Sequence, residues 1–140
     1  MRFTLCYKEY PFRMTLGAMK QFKSATGKDL WHTLIAFLDD WMKSEKESTL
    51  TRCRGVYNVV DFATAAELIH ALVKAENKSI PMAEIEDAMF RVGWLPVDLD
   101  DGNINPYPLI LVSIAHQINE TFSSEVEEVK KSHAVTKLRE

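Results

Sequence analysis

The sequence predicts a mainly α-helical fold: a bundle of about five helices with a small N-terminal β-hairpin, α+β only at the margin. Three observations predict it. Apolar residues recur at three- and four-residue steps through five stretches of the chain. The first fourteen residues alternate instead with a period of two. Residues that start and stop helices fall between the periodic stretches.

Residues 2–8 place Phe3, Leu5 and Tyr7 on one side and Thr4, Cys6 and Lys8 on the other, the pattern of a half-buried strand. After a break at Glu9, Tyr10, Phe12 and Met14 continue the alternation. Pro11 lacks an amide donor, so a second strand here is an edge strand. Two strands alone are marginal, and the hairpin must lean on helices.

Thr15 is a good N-cap for a helix over 16–26, with Leu16, Met19 and Phe22 on one face and Gly27 at the left-handed stop. Asp29 caps the next helix, whose stripe is Leu30, Leu34, Phe37, Leu38, Trp41 and Met42, widened by Trp31 and Ile35. Residues 44–49 read as a surface loop. Residues 50–60 are ambiguous: 50–54 suit a short helix that Gly55 would stop, while Val56, Tyr57, Val59 and Val60 favour strand by propensity. Thr64 and Glu67 have capping-box spacing, with Asp61 a rival cap. Ala65, Leu68, Ile69, Leu72 and Val73 form the stripe of that helix. Ser79 and Pro81 open another, with Ile85, Ala88, Met89 and Val92 inside and Gly93 closing it. Residues 94–105 form a turn-rich loop. Pro106 and Pro108 stand at the entry of the last helix, where proline is tolerated. That helix begins apolar on all sides at 109–112. It narrows to a stripe of Ala115, Ile118, Phe122, Val126 and Val129 among strongly polar neighbours. One domain over 1–131 and a flexible tail over 132–140 are expected.

The chain has 140 residues, enough to bury a core without a disulfide or metal. A hydrophobic content of 46% and a charged content of 26% exclude whole-chain disorder. Cys6 and Cys53 belong to no metal-ligand or redox motif and read as reduced thiols. No long apolar run opens the chain, and 109–112 is far too short to span a membrane. The net charge is −3, made of +4 over residues 1–54 (ten Lys/Arg, six Asp/Glu) and −7 over 55–140 (seven against fourteen). That asymmetry suits two solvated faces or head-to-tail association, and gives no support to nucleic-acid binding.

Candidate chemistry is sparse. Asp98, Asp100, Asp101 and Gly102 suggest a calcium loop, but the glycine falls one residue early and position twelve is Leu109. His32, His70, His116 and His133 have no second ligand at three- or four-residue spacing. No phosphate-binding glycine loop or nucleophile elbow occurs. We therefore expect no enzyme, no cofactor and no metal. The residues expected to serve a partner or self-association are Trp94, just after a helix stop, and Leu111, Ile118, Phe122 and Val126 on the last helix.

One stretch carries a resemblance. Tyr10-Pro-Phe-Arg-Met-Thr-Leu-Gly-Ala, then Phe22, then Thr26-Gly27-Lys28-Asp29-Leu30, resembles the N-terminal region of tail assembly chaperones of long-tailed, non-contractile bacteriophages. It covers about a quarter of the chain, and the helical layout is compatible over most of the rest. The resemblance implies a protein that binds the tape measure protein in the host cell cytoplasm. It would keep that long helical partner soluble during tail morphogenesis and be absent from the mature virion. It further implies a homo-oligomer, ring or spiral, and a longer frameshifted form that recruits the tail tube protein. The alternative from the residues alone is a protein–protein adaptor or regulator using the same C-terminal helix.

Overall fold

A computed structural model of the chain describes residues 1–92 and 107–139. Gly93, Trp94, the acidic turn at 98–102 and Pro106 lie outside the described residues. The elements are β1 (Arg2–Leu5), β2 (Lys8–Pro11), α1 (Leu16–Thr26), α2 (Leu30–Lys43), α3 (Thr49–Tyr57), α4 (Phe62–Lys74), α5 (Met82–Val92) and α6 (Tyr107–Arg139). The fold is mainly helical with an N-terminal hairpin, as the periodicity predicts.

The hairpin is tighter than the alternation implies. β1 and β2 pair antiparallel with Phe3 opposite Tyr10 and Leu5 opposite Lys8. The turn is therefore Cys6-Tyr7, two residues before the expected break at Glu9. Tyr7 does not continue the inner face of a strand; it stands exposed at the turn. The reason is register: only this pairing puts Phe3, Leu5, Tyr10 and Phe12 together on one buried face. Phe3 stacks on Tyr10 with ring centroids 5.7 Å apart. The Phe12 amide donates to the Met1 carbonyl (2.8 Å) and the Arg13 amide to the Leu72 carbonyl (3.1 Å), which ties the hairpin to the end of α4.

The joints around α1 and α2 obey their local chemistry. Thr15 Oγ1 accepts from the Ala18 amide at 3.0 Å. Gly27 has φ +75° and its amide donates to the Lys23 carbonyl at 2.7 Å. Asp29 Oδ1 accepts from the His32 amide at 2.7 Å.

The ambiguous segment is helical. α3 starts on the Ser48 cap and continues through Gly55, which does not stop it. Burial of Cys53 and Val56 overrides the strand propensity of the valines. Asp61, not Thr64, caps α4: its carboxylate accepts from the Thr64 amide at 2.8 Å, and that bond holds the Asp61 pKa below the ordinary carboxylate range.

α4 is the central helix. Every residue from Thr64 to Val73 except Glu67 is buried, and α1, α5 and α6 pack around it. His70 crosses between elements: one ring nitrogen meets the Ile80 carbonyl (3.1 Å) and the other the Gln21 amide (3.2 Å). A neutral imidazole protonated on Nε2 satisfies both contacts. Tyr107 starts α6 with a fully buried ring, and its hydroxyl donates to the Val60 carbonyl at 2.7 Å. Ile110, Leu111, Ile114, Ala115 and Ile118 then fill the core. Leu111 and Ile118, expected at an interface, are thus core residues with no exposed surface, because α6 packs on α2, α4 and β1 of its own chain. α6 runs on to Arg139, across the segment expected as a tail.

Candidate interaction surface

α2 carries two apolar stripes. Leu30, Leu34, Phe37 and Trp41 are buried. Trp31, Ile35, Leu38 and Met42 occupy the adjacent face; Trp31 and Leu38 are half-buried, while Ile35 is 47% and Met42 62% exposed. The periodicity alone assigns all eight to one core-facing stripe. The signal that separates them is width: apolar residues at both 30/34/37/41 and 31/35/38/42 span more of the helix than one packing partner covers.

α6 has the complementary division along its length. Its first part is core. From Asn119 to Ser132 every residue is exposed. The helix is 33 residues long, about 50 Å at 1.5 Å per residue, and more than half of it extends past Ile118, the last core residue among the described residues. Phe122, Val126 and Val129 are 38%, 51% and 69% exposed and lie one above another at steps of four and three. Of the residues expected to serve a partner, Phe122 and Val126 are exposed, Leu111 and Ile118 are buried, and Trp94 is outside the described residues.

The two stripes meet. The Phe122 ring contacts Trp31 edge-on, centroids 5.5 Å apart and planes at 68°. Behind that contact Trp31, Leu34, Ile35, Leu38, Ala115 and Asn119 line a cleft of about 150 Å³. On the other flank of Phe122 a second cleft, about 360 Å³, is formed with Phe12, Met14 and Ile118 and rimmed by Arg13, Glu76 and Glu125. A third runs with the stripe along α6, lined by Phe122, Glu125, Val126, Val129 and Lys130. The result is one apolar strip running from Met42 through Trp31 to Val129.

The far end of α2 is held firmly. The Arg52 guanidinium lies 3.8 Å above the Trp41 ring and donates to the Trp41 carbonyl (2.6 Å) and to Ser44 Oγ (3.3 Å). A cation on an indole face with a directed backbone bond couples α3 to α2. Charges flank the strip rather than interrupt it. Lys43 pairs with Asp39 at 2.9 Å, and that hydrogen bond raises the Lys43 pKa. Lys130 lies 3.9 Å from Glu127, a loose exposed pair of little energetic weight.

A more polar concavity lies elsewhere, between the hairpin and α5. It is about 320 Å³ and is lined by Leu5, Cys6, Lys8, Tyr10, Glu84, Asp87, Ala88 and Arg91. Lys8 Nζ donates to Glu84 Oε2 at 3.1 Å, which with the Tyr10 hydroxyl keeps the Glu84 carboxyl below its ordinary range. Burial and then Glu84 push the Tyr10 phenol up to about 12. Burial pushes the Cys53 thiol up to about 11, which leaves it protonated and unreactive at neutral pH. Each of these shifts moves a group away from titration near pH 7. Among the described residues no group of three or more His, Cys, Asp or Glu is arranged to hold a metal ion. Among the described residues no single helix is long and apolar enough to cross a membrane.

No family model, no curated protein and no solved structure matches this chain.

Proposed function

We propose that this protein is an assembly chaperone of the phage tail type, one that binds and solubilises a tape measure protein during tail morphogenesis in the host cell cytoplasm and leaves before the virion is complete. The observation that carries the reading is the apolar strip on α2 and the outer part of α6. A helix surrounded by solvent has little stability of its own and gains it when a partner covers its apolar face. Burying a Phe or Val side chain contributes roughly 1.5–3 kcal/mol, so three such residues on α6 suit reversible capture of another helix. A holdase needs that surface and no reacting groups.

The resembling stretch supports the same reading through fold. Tyr10, Phe12 and Phe22 are core, Thr15 and Asp29 are helix caps, and Gly27 takes the left-handed conformation. Those residues set the angle between the hairpin, α1 and α2, and so set where the α2 half of the strip faces. A homo-oligomer, ring or spiral, would repeat the strip along one extended partner and gain avidity. A longer frameshifted form would bring the tail tube protein.

Co-expression with a phage tape measure protein tests the proposal. The expected result is a complex and a gain in that partner's solubility, both lost on Ile35→Asp with Met42→Asp while the chaperone itself stays folded. No complex and no gain in solubility with the unaltered chain overturns it. Tight capture of an unrelated regulatory protein through the same strip would make the chain an adaptor instead.

A further inference from the structure

His70 is buried, whereas His32 and His116 are exposed. Its ring closes a junction of three segments: α4, which carries it, α1 through Gln21, and the chain entering α5 through Ile80. Both ring nitrogens are engaged, and the two partners differ in kind. The Ile80 carbonyl, 3.1 Å from Nε2, can only accept, so Nε2 carries a proton whatever the charge of the ring. Gln21 presents a side-chain amide, with donors on one side and an acceptor on the other. In the neutral ring Nδ1 is a bare lone pair, and the amide offers it Nε2 at 3.2 Å. The Gln21 amide makes no other hydrogen bond among the described residues. Turning it over therefore breaks no other bond among them.

We infer that His70 and Gln21 form a proton-coupled hydrogen-bond pair: when the ring takes a second proton from solvent onto Nδ1, the Gln21 amide turns over and accepts from it through Oε1, so that the junction of α1, α4 and the entry to α5 holds in both charge states. Without the turn, two N–H donors would face each other across 3.2 Å, and a buried cation would lack an acceptor, which is costly. With it, the imidazolium donates to two oxygens, the Ile80 carbonyl and Gln21 Oε1. Hydrogen bonds from a charged donor are the stronger kind. An apolar side chain at this position could fill the space but could neither donate nor accept. A carboxylate could accept but not donate. An amide serves both states because it can reverse. No charged side chain takes over this task. Lys20 and Lys23 on α1, Glu67 and Lys74 on α4, Lys78 before α5 and Glu84 in its first turn neither bond nor pair with the ring, and Glu84 is held by Lys8. The response of the junction to acid is therefore set by Gln21.

Nuclear magnetic resonance and two variants test this on the full chain between about pH 8 and pH 5.5, the range in which histidine changes charge. Long-range proton–nitrogen spectra of the parent should show His70 neutral with its proton on Nε2 at the upper end. At the lower end both nitrogens should be protonated while the folded spectrum is otherwise retained. The Gln21 side-chain amide protons, measured against their intrinsic rates, should exchange faster once the ring is charged. Gln21→Met keeps the bulk but offers no acceptor. Its folding equilibrium constant relative to the parent, read from urea titrations, should fall about tenfold further at the acid end than at the upper end. Gln21→Glu offers an acceptor alone and should move the other way, gaining on the parent as the pH falls. A ring that stays neutral in the folded parent overturns the inference, as does unchanged exchange at Gln21. So does a Gln21→Met profile parallel to the parent's, or a Gln21→Glu profile that moves with Gln21→Met. Gln21 is half-buried, so neither substitution removes a core residue. Should a variant fail to fold, the ring and amide measurements on the parent still decide.

Discussion

Trp31 and Phe122 mark the place where α6 leaves the body of the protein: their rings meet edge-on at 5.5 Å, and from there to Ser132 every residue of α6 is exposed. On one side of that contact the apolar stripe is structural. On the other it is exposed to solvent.

The two sides should respond differently to truncation. Ile118→Ala removes a fully buried side chain and should cost about 2–5 kcal/mol. Val126→Ala, eight residues further along the same helix, should change stability by no more than about 0.5 kcal/mol. Urea titrations monitored by circular dichroism decide it; comparable losses would place Val126 in the core.

Two glycines should move stability in opposite directions. At Gly17 an added methyl group meets only Thr15 Oγ1, at 3.7 Å, and the residue lies in the first turn of α1. Gly17→Ala should therefore stabilise by roughly 0.5–1 kcal/mol. Gly27 sits at φ +75° with open space around it, so Gly27→Ala adds backbone strain alone and should destabilise by about 1 kcal/mol. Thermal melts of the two single variants, compared with the parent, give both signs.

The hairpin turn holds two non-glycine residues at positive φ, Cys6 at 50° and Tyr7 at 65°. A two-residue turn of this type favours Asn-Gly. Replacing the pair, Cys6→Asn with Tyr7→Gly, should raise stability by about 1–2 kcal/mol. An unchanged or lower denaturation midpoint would mean that Cys6, half-buried against the core, contributes more by packing than the turn loses by strain.

Stability should fall on the alkaline side. Tyr10 is raised from 10.0 to about 12 and Cys53 from 9.0 to about 11, in both cases chiefly by burial, and Tyr107 moves the same way. Each favours its neutral form in the fold. That stability is fully present below the unfolded pKa and is lost as pH rises through the folded value. The decline should begin near pH 9 with Cys53 and extend to about pH 12 with Tyr10. Urea midpoints measured from pH 8 to 12 should fall, and Cys53→Ala should flatten the lower part of the curve. A flat profile in the parent would contradict the burial of these groups.

Much of the fold is legible because its signals are local. Thr15, Gly27 and Asp29 act within four residues of themselves, so their caps can be read directly. The stripes of α1, α2, α4 and α5 repeat with the helical period, whatever lies opposite. Three features are not legible in the same way. The Cys6-Tyr7 turn carries no turn residue, and only the shared burial of Phe3, Leu5, Tyr10 and Phe12 places it. α3 contains Gly55 and a strand-favouring run, and only packing makes it a helix. Asp61 and Thr64 both suit a cap, and the start of α4 settles which one serves.

The sequence by itself determined the class of fold, five of the helices and the existence of an apolar stripe along the last one. The tertiary structure decided which part of that stripe is surface. Leu111, Ile118, Phe122 and Val126 share one helical pattern, yet α2, α4 and β1 cover the first two and leave the others to solvent. Periodicity records that a helix has an apolar face. What lies against that face is set by residues far away in the chain, here by α2 beginning at Leu30 beside Phe122.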